Sequence, residues 1–156
     1  MNLKILCLNI TILFLCTLFA CQKETSDVPS LEFIGLSSLS LDQNQADSLF
    51  LTFKFKDGDG DLVGDQTAIF VSDSRNDALL ATFKIPNPGL FNPGQAQEGE
   101  MTIQLYSPCC IYADTIDCIP NTLIPEDEFN FKLKAIDLAG NQSNIIESDR
   151  ITLNCI

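Results

Sequence analysis

The chain has 156 residues, of which 21 are Asp or Glu and nine are Lys or Arg, so its formal net charge at pH 7 is −12. Such an acidic surface repels nucleic acid and anionic headgroups, and the composition therefore argues against a nucleic-acid-binding role. The chain contains no His, which removes His-based catalytic triads and imidazole metal ligands together.

The N-terminus has the pattern of a secretory signal peptide. Residues 1–4 form a short basic start, and residues 5–20 (ILCLNITILFLCTLFA) form an apolar run without a charge. This run is shorter than the roughly 20 residues that span a bilayer as a helix. A charged start, an apolar stretch and a small residue before the cleavage point are typical of an export signal. We therefore expect residues 1–20 to be removed.

The end of this run, Leu18-Phe19-Ala20-Cys21, resembles a bacterial lipobox, although the bulky Phe19 departs from the pattern. The resemblance implies that Cys21 carries lipids and becomes the first residue of the mature chain. The alternative is an ordinary cleaved signal followed by a Cys with no such role. Since residues 1–20 hold one Lys and no acid, the mature chain has 8 basic and 21 acidic residues, a balance of −13.

Residues 21–30 are polar with one Pro, and we interpret them as a tether. Residues 31–156 are then one domain, which is long enough to bury a core.

Apolar and polar residues alternate with a period of two from Leu31 onward. In SLFLTFKFK (Ser48–Lys56), one face holds Leu49, Leu51, Phe53 and Phe55. In EFNFKLKAID (Glu128–Asp137), it holds Phe129, Phe131, Leu133 and Ala135, and in both segments the lysines lie on the other face. This alternation is typical of antiparallel strands with one buried face. The predicted strands, in chain order, are Glu32–Leu36, Ser48–Lys56, Ala68–Ser72, Leu79–Ile85, Met101–Ser107, Glu128–Asp137 and Ile151–Cys155. About seven antiparallel strands predict an all-β fold, a β-sandwich.

The order of these strands predicts which loops are neighbours. If the strands run up and down in turn, loops 57–66 and 137–144 fall at one end of the sandwich. The connection 107–127 falls at the opposite end, together with Cys155.

Four cysteines remain after the signal and Cys21: Cys109, Cys110, Cys118 and Cys155. An even number of cysteines in an exported protein predicts two disulfides. A bond between the adjacent Cys109 and Cys110 would be strained, so we expect one of them to pair with Cys118 and the other with Cys155. The alternative is a zinc ion held by four thiolates, although the adjacent cysteines lack the usual C-x₂-C spacing.

Two segments resemble small lipoproteins of Bacteroidota with immunoglobulin-like (Ig-like) or fibronectin-III-like sandwiches. FKFKDGDGDLVGD (Phe53–Asp65) is similar to their strand and acidic turn, and KAIDLAGNQSN (Lys134–Asn144) is similar to the turn before their final strand. The resemblance implies an Ig-like sandwich in the cell envelope, with the outer membrane expected and its face open. The loop with the cysteines departs from the plain Ig-like pattern.

The acidic turn is a candidate calcium site. Asp57, Asp59 and Asp61 alternate with glycines, and Asp65 follows four residues later. Hard oxygen ligands at this spacing suit Ca²⁺, although the loop lacks the Gly and Glu positions of an EF-hand. The neighbouring loop adds Asp137 and Asn141. The alternative is a polar turn without a metal, in which Gly140 takes a positive φ and Asn141 caps the second loop.

Two further loops carry candidate features. Loop 86–99 holds Leu90 and Phe91, which either present an apolar surface for binding or pack back onto the sandwich. Asp114-Thr115-Ile116 resembles the sites at which Bacteroidota O-glycosylate exported proteins, so Thr115 is a candidate glycosylation site.

We expect this protein to be a lipid-anchored envelope protein with a non-catalytic interaction domain, stabilised by Ca²⁺ if the acidic loop binds it. Its expected partners are the membrane, through the lipid, and a protein or glycan of unknown identity. The alternatives are a glycan-binding accessory lipoprotein and a structural spacer without a ligand. Glycan binding predicts exposed aromatic side chains, but the chain has no Trp and only two Tyr.

Overall fold

The computed structural model of the chain describes residues 26–43, 47–65, 68–87, 89–92, 94–111 and 125–156. These residues form ten β-strands and no α-helix. In chain order the strands are β1 (Ser30–Leu36), β2 (Ser40–Asp42), β3 (Ser48–Asp57), β4 (Ala68–Asp73), β5 (Leu79–Phe83), β6 (Gln97–Tyr106), β7 (Glu126–Phe129), β8 (Phe131–Ile136), β9 (Ile146–Glu147) and β10 (Ile151–Asn154).

The strands form three open sheets, with the orders β1-β3-β6, β2-β10-β7 and β5-β4-β8-β9. The fold is all-β and consistent with a β-sandwich. The prediction that all strands pair antiparallel is wrong for one pair, because β2 runs parallel to β10. The predicted alternation is confirmed: Leu49, Leu51, Phe53 and Phe55 of β3 and Phe131, Leu133 and Ala135 of β8 are buried in one core, whereas Lys54 and Lys56 are exposed.

The prediction of about seven strands is wrong by three, for two reasons. β2 and β9 are only three and two residues long, too short to show a period. The predicted strand Glu128–Asp137 is divided at Asn130, where the chain passes from the sheet of β10 to the sheet of β4. Side chains satisfy the backbone there: Asn130 N–H donates to Ser74 Oγ (2.8 Å), and Asn130 Nδ2 donates to the Ser148 carbonyl (2.7 Å).

The strand registers place the chain's entry and the acidic loop at one end of the molecule. Ser30 of β1 pairs with Lys56 of β3, so the segment before β1 lies beside the end of β3. Ile136 pairs with Ala68, which places the start of loop 137–144 beside the start of β4. The prediction that loops 57–66 and 137–144 are neighbours is confirmed for their described residues by a hydrogen bond from Ala139 N–H to Asp61 Oδ2 (2.9 Å). We call this end the N-terminal pole.

The opposite end carries a disulfide between Cys110 and Cys155, with Cα atoms 6.0 Å apart. The predicted pairing of one of the adjacent cysteines with Cys155 is therefore confirmed, and two of the four thiols considered for a zinc site are joined in this bond. Cys109 is disulfide-bonded as well, whereas Cys118 lies outside the described residues. We call this end the disulfide pole. Among the described residues, no helix is of a length and apolarity that would cross a membrane.

Candidate metal centre

Three carboxylates converge at the N-terminal pole, where β3 ends. Asp57, Asp59 and Asp61 each bring one oxygen to within 4.8 Å of the others. In each residue Oδ1 is buried and has no hydrogen-bond partner. Buried polar atoms are nearly always paired, so a group of acids with three unpaired oxygens could bind a metal ion.

The second oxygen of two of these carboxylates fixes the loop. Asp57 Oδ2 accepts hydrogen bonds from the backbone N–H groups of Asp61 and Leu62, both at 2.8 Å. Asp61 Oδ2 accepts the bond from Ala139 N–H in the neighbouring loop. Each of these side chains is thus held through its Oδ2, whereas its Oδ1 is buried without a hydrogen-bond partner.

The acidic loop is anchored by buried residues that follow the three carboxylates and by contacts with β6. Leu62 and Val63 are buried. The side chain of Gln97, which is also buried, accepts from Val63 N–H (3.2 Å) and donates to the Gly60 carbonyl (2.7 Å). Gly60 has φ +76°, and a Cβ there would lie 2.0 Å from the Gln95 carbonyl oxygen. The carboxylates are therefore pre-positioned rather than carried by a free loop.

The carboxylates stand in an unfavourable electrostatic environment. Burial raises the pKa of Asp57, against the backbone hydrogen bond from Leu62, and the charge of Asp59 raises it further. Burial also raises the pKa of Asp61, and the charges of Asp137 and Asp59 add to this effect. A cation among these residues relieves both burial and repulsion.

The donor set fits a hard cation. Carboxylate oxygens on a short Gly-containing loop are the ligands that Ca²⁺ takes, usually six to eight oxygens at about 2.3–2.6 Å. The loop supplies three of them, so further positions are open to water or to another molecule.

The other predicted ligands are placed differently. Asp65 is exposed and is not a member of the converging group. Asp137 lies near Asp61, but its Oδ1 accepts from Asn141 N–H (2.7 Å) and its Oδ2 accepts from Asn141 Nδ2 (2.9 Å). Gly140 has φ +89°. The segment thus forms the turn that the alternative interpretation predicts. Cys21 and Thr115 lie outside the described residues.

Sequence reasoning missed the residues that support the loop from elsewhere. Gln97 lies on β6, and its amide group is one of many in a polar sequence. Gly58 N–H donates to the Ser26 carbonyl (3.0 Å), and Asn141 Nδ2 donates to the Asp27 carbonyl (3.3 Å). No pattern in the sequence marks these contacts, because backbone carbonyls carry no signal of side-chain type.

The two apolar residues of loop 86–99 have different environments. Phe91 packs edge-on against Phe55, with ring centroids 6.3 Å apart, and joins the core. Leu90 is 77% exposed. The interpretation of a loop packed back onto the sandwich therefore holds for Phe91 and is wrong for Leu90.

An open groove of about 780 Å³ lies on the solvent face of the sheet β5-β4-β8-β9. Its walls include Phe70, Leu79 and two lysines, Lys132 and Lys134. Lys132 Nζ donates to Asp77 Oδ1 at 2.9 Å, and Lys134 Nζ lies 5.8 Å from the Phe70 ring centroid.

No known protein family, curated protein or solved structure matches this chain.

Proposed function

We propose that this protein is a calcium-stabilised, non-catalytic interaction domain, held to a membrane of the cell envelope by lipid on Cys21. The observation that carries the proposal is that Asp57, Asp59 and Asp61 converge and that each has a buried Oδ1 without a hydrogen-bond partner. Because the loop is fixed before an ion binds, the role of Ca²⁺ in it is structural.

The strand order supports an Ig-like sandwich. Ig-like domains place strands A, B and E in one sheet and strands C, F and G in the other, with a further strand beside C in some types. The orders β1-β3-β6 and β5-β4-β8-β9 correspond to A-B-E and C′-C-F-G. In this correspondence the metal loop joins strands B and C, and the turn 137–141 joins F and G.

The absence of His from the sequence supports a non-catalytic role. The groove on the β4–β8 face combines apolar side chains with opposite charges that are partly paired, a composition suited to recognition. For glycan binding, the alternative, the supporting observation is an exposed aromatic pair, Phe50 and Tyr106, which project from adjacent strands. A spacer without a ligand remains the second alternative.

The test of the metal site is thermal unfolding of the purified protein in Ca²⁺ and in EDTA. We expect Ca²⁺ to raise Tm, since a ligand present at 100 times its Kd stabilises the folded state by about 2.7 kcal/mol. Asp57→Asn should abolish the Ca²⁺ effect, and Asp65→Asn, at an exposed position outside the group, should keep it. An identical Tm in Ca²⁺ and EDTA would show that the loop is a polar turn only.

A further inference from the structure

We propose that the metal centre faces the membrane that holds the anchor, and that its Ca²⁺ is shared with phosphate groups of anionic lipid headgroups. This inference rests on the proposed function, because it requires both a bound Ca²⁺ and lipid on Cys21.

The first argument is the place where the chain enters the domain. The Ser26 and Asp27 carbonyls are hydrogen-bonded to Gly58 and Asn141, one residue from each of the two loops at the metal centre. Cys21 precedes Ser26 by five residues, which span at most about 18 Å. A strand the length of β3 extends roughly 33 Å. The short tether therefore keeps the N-terminal pole, and not the disulfide pole, next to the bilayer.

The second argument is the incomplete coordination that the three acids can supply. Asp57 is 3% exposed, whereas Asp59 and Asp61 are half-buried. Three carboxylate oxygens leave three or more positions of a six- to eight-coordinate Ca²⁺ to be filled by other oxygens. Phosphate oxygens are hard ligands of the kind that Ca²⁺ prefers.

The third argument is charge. The mature chain is strongly acidic, and three carboxylates at one point of the N-terminal pole repel an anionic lipid surface. A bound Ca²⁺ offsets two of the three negative charges. The same ion is coordinated by the carboxylates on one side and by headgroup phosphates on the other. Contact between the pole and anionic lipid therefore depends on Ca²⁺.

The fourth argument is the apolar side chains beside the centre. Leu138 is 55% exposed and lies in the turn that donates to Asp61. Leu90 is exposed on the loop whose Gln95 lies against Gly60, and Val28 is exposed on the entering segment. Apolar side chains at such a surface enter the boundary between headgroups and acyl chains. Ca²⁺ bridging and insertion of these side chains thus act on the same face.

A single-Trp reporter tests the proposal directly, because the chain has no Trp. Leu138→Trp places the reporter at the metal centre. Leu39→Trp is the matched control, since Leu39 is 56% exposed, follows β1 and lies at the other end of that strand. The full chain, processed and lipidated, is reconstituted into vesicles of equal parts phosphatidylglycerol and brominated phosphatidylcholine. A second preparation contains brominated phosphatidylcholine alone.

In the Leu138→Trp protein, we expect Ca²⁺ to shift the Trp emission to shorter wavelength and to increase its quenching by the brominated lipid. EGTA should reverse both changes. The Leu39→Trp protein should not respond. The response should be lost in vesicles without phosphatidylglycerol, and also when Asp57→Asn is added to Leu138→Trp.

Each other outcome identifies what fails. If Ca²⁺ raises Tm but the two reporters behave alike, the centre binds Ca²⁺ without facing lipid, and only this inference is overturned. If the response is equal without phosphatidylglycerol, headgroup phosphate is not the ligand and the inference is again overturned. If Ca²⁺ leaves Tm unchanged, or if the chain leaves the vesicles in EGTA, the proposed function itself is wrong in its metal or in its anchor.

Discussion

At the scale of single residues, Asp57 shows how one side chain both builds a site and destabilises it. Its Oδ2 closes the loop by accepting two backbone N–H groups, and its Oδ1 is buried without a partner. Holding this charge in the core is unfavourable, which is why burial is the largest cause of its raised pKa. An ion bound at the centre, as proposed, would offset the buried charge.

The pH dependence of stability in EDTA follows from this raised pKa. The folded state takes up a proton on Asp57 at a higher pH than the unfolded chain, whose ordinary value is 3.8. The destabilisation by charged Asp57 is therefore full above the folded pKa and is lost as the pH falls from the folded pKa toward the unfolded value. In EDTA, we expect Asp57→Asn to melt above the wild type at neutral pH, with a gap that closes on acidification. Thermal melts of both proteins across this range check it, and a gap that widens on acidification would contradict the assignment.

Gly60 is a second residue whose identity the fold requires. Gly60→Ala places a Cβ against the Gln95 carbonyl at a positive φ, whereas Gly94 has a similar φ of +77° but no atom within 4 Å of its Cβ. We expect Gly94→Ala to cost about 1 kcal/mol through backbone strain alone, and Gly60→Ala roughly 3 kcal/mol because overpacking adds to it. Denaturant unfolding measures both. Equal costs would mean that the loop moves away from Gln95 without penalty.

At the scale of elements, Arg75 connects the turn after β4 to β7 and to the disulfide pole. Its guanidinium pairs with Asp73 and Asp127, donates to the Cys109 carbonyl (2.9 Å) and lies 5.0 Å from the Phe129 ring centroid. Burial lowers the pKa of Arg75, but the hydrogen bonds to Asp73 and Asp127 outweigh it, and the net direction is upward. One side chain thus joins strands of two sheets.

Removal of the Arg75 side chain should lower the free energy of unfolding substantially. Arg75→Ala leaves the buried carboxylate of Asp73 without its cation, and loss of one partner of a buried pair costs about 3–5 kcal/mol. The control is Arg150→Ala, which removes an exposed pair with Glu128 and should cost about 0–1 kcal/mol. Urea unfolding of the two variants measures the difference. Similar midpoints for both would show that the Arg75 cluster adds no stability beyond a surface pair.

At the scale of the whole molecule, the two poles are stabilised by different chemistry. The N-terminal pole depends on the carboxylate centre, and the disulfide pole on a covalent bond between Cys110 and Cys155, residues 45 apart in sequence. The core of β3, β8 and their neighbours lies between the poles. Reductant and chelator should therefore act at separate ends and have nearly additive effects.

We expect the Cys110–Cys155 disulfide to make a large entropic contribution to the free energy of unfolding. Closing a loop of this length stabilises the folded state by roughly 4 kcal/mol through restriction of the unfolded chain. We expect the double variant Cys110→Ser/Cys155→Ser to lose about this much in guanidinium unfolding under oxidising conditions. Its Ca²⁺ response should stay intact, because the metal centre is at the other pole. Loss of the Ca²⁺ response would contradict the separation of the poles.

The sequence by itself determined the longer strands and the ends at which their loops meet. Alternation with a period of two identifies β3 and β8, and the order of the strands then places loops 57–66 and 137–144 together. These inferences succeed because the burial of one sheet face is a local constraint, repeated at every second residue. The same reasoning gave the Cys110–Cys155 pairing as one of two open choices.

Only the tertiary structure decided which acids form the centre and where the centre lies. Asp57, Asp59 and Asp61 converge, whereas Asp65 is exposed and Asp137 is held by Asn141. The sequence also did not indicate that the predicted strand Glu128–Asp137 is divided at Asn130. In each case the outcome depends on partners distant in sequence, such as Gln97 or the Ser26 carbonyl, and hydrogen bonds to distant groups leave no periodic trace in a single chain.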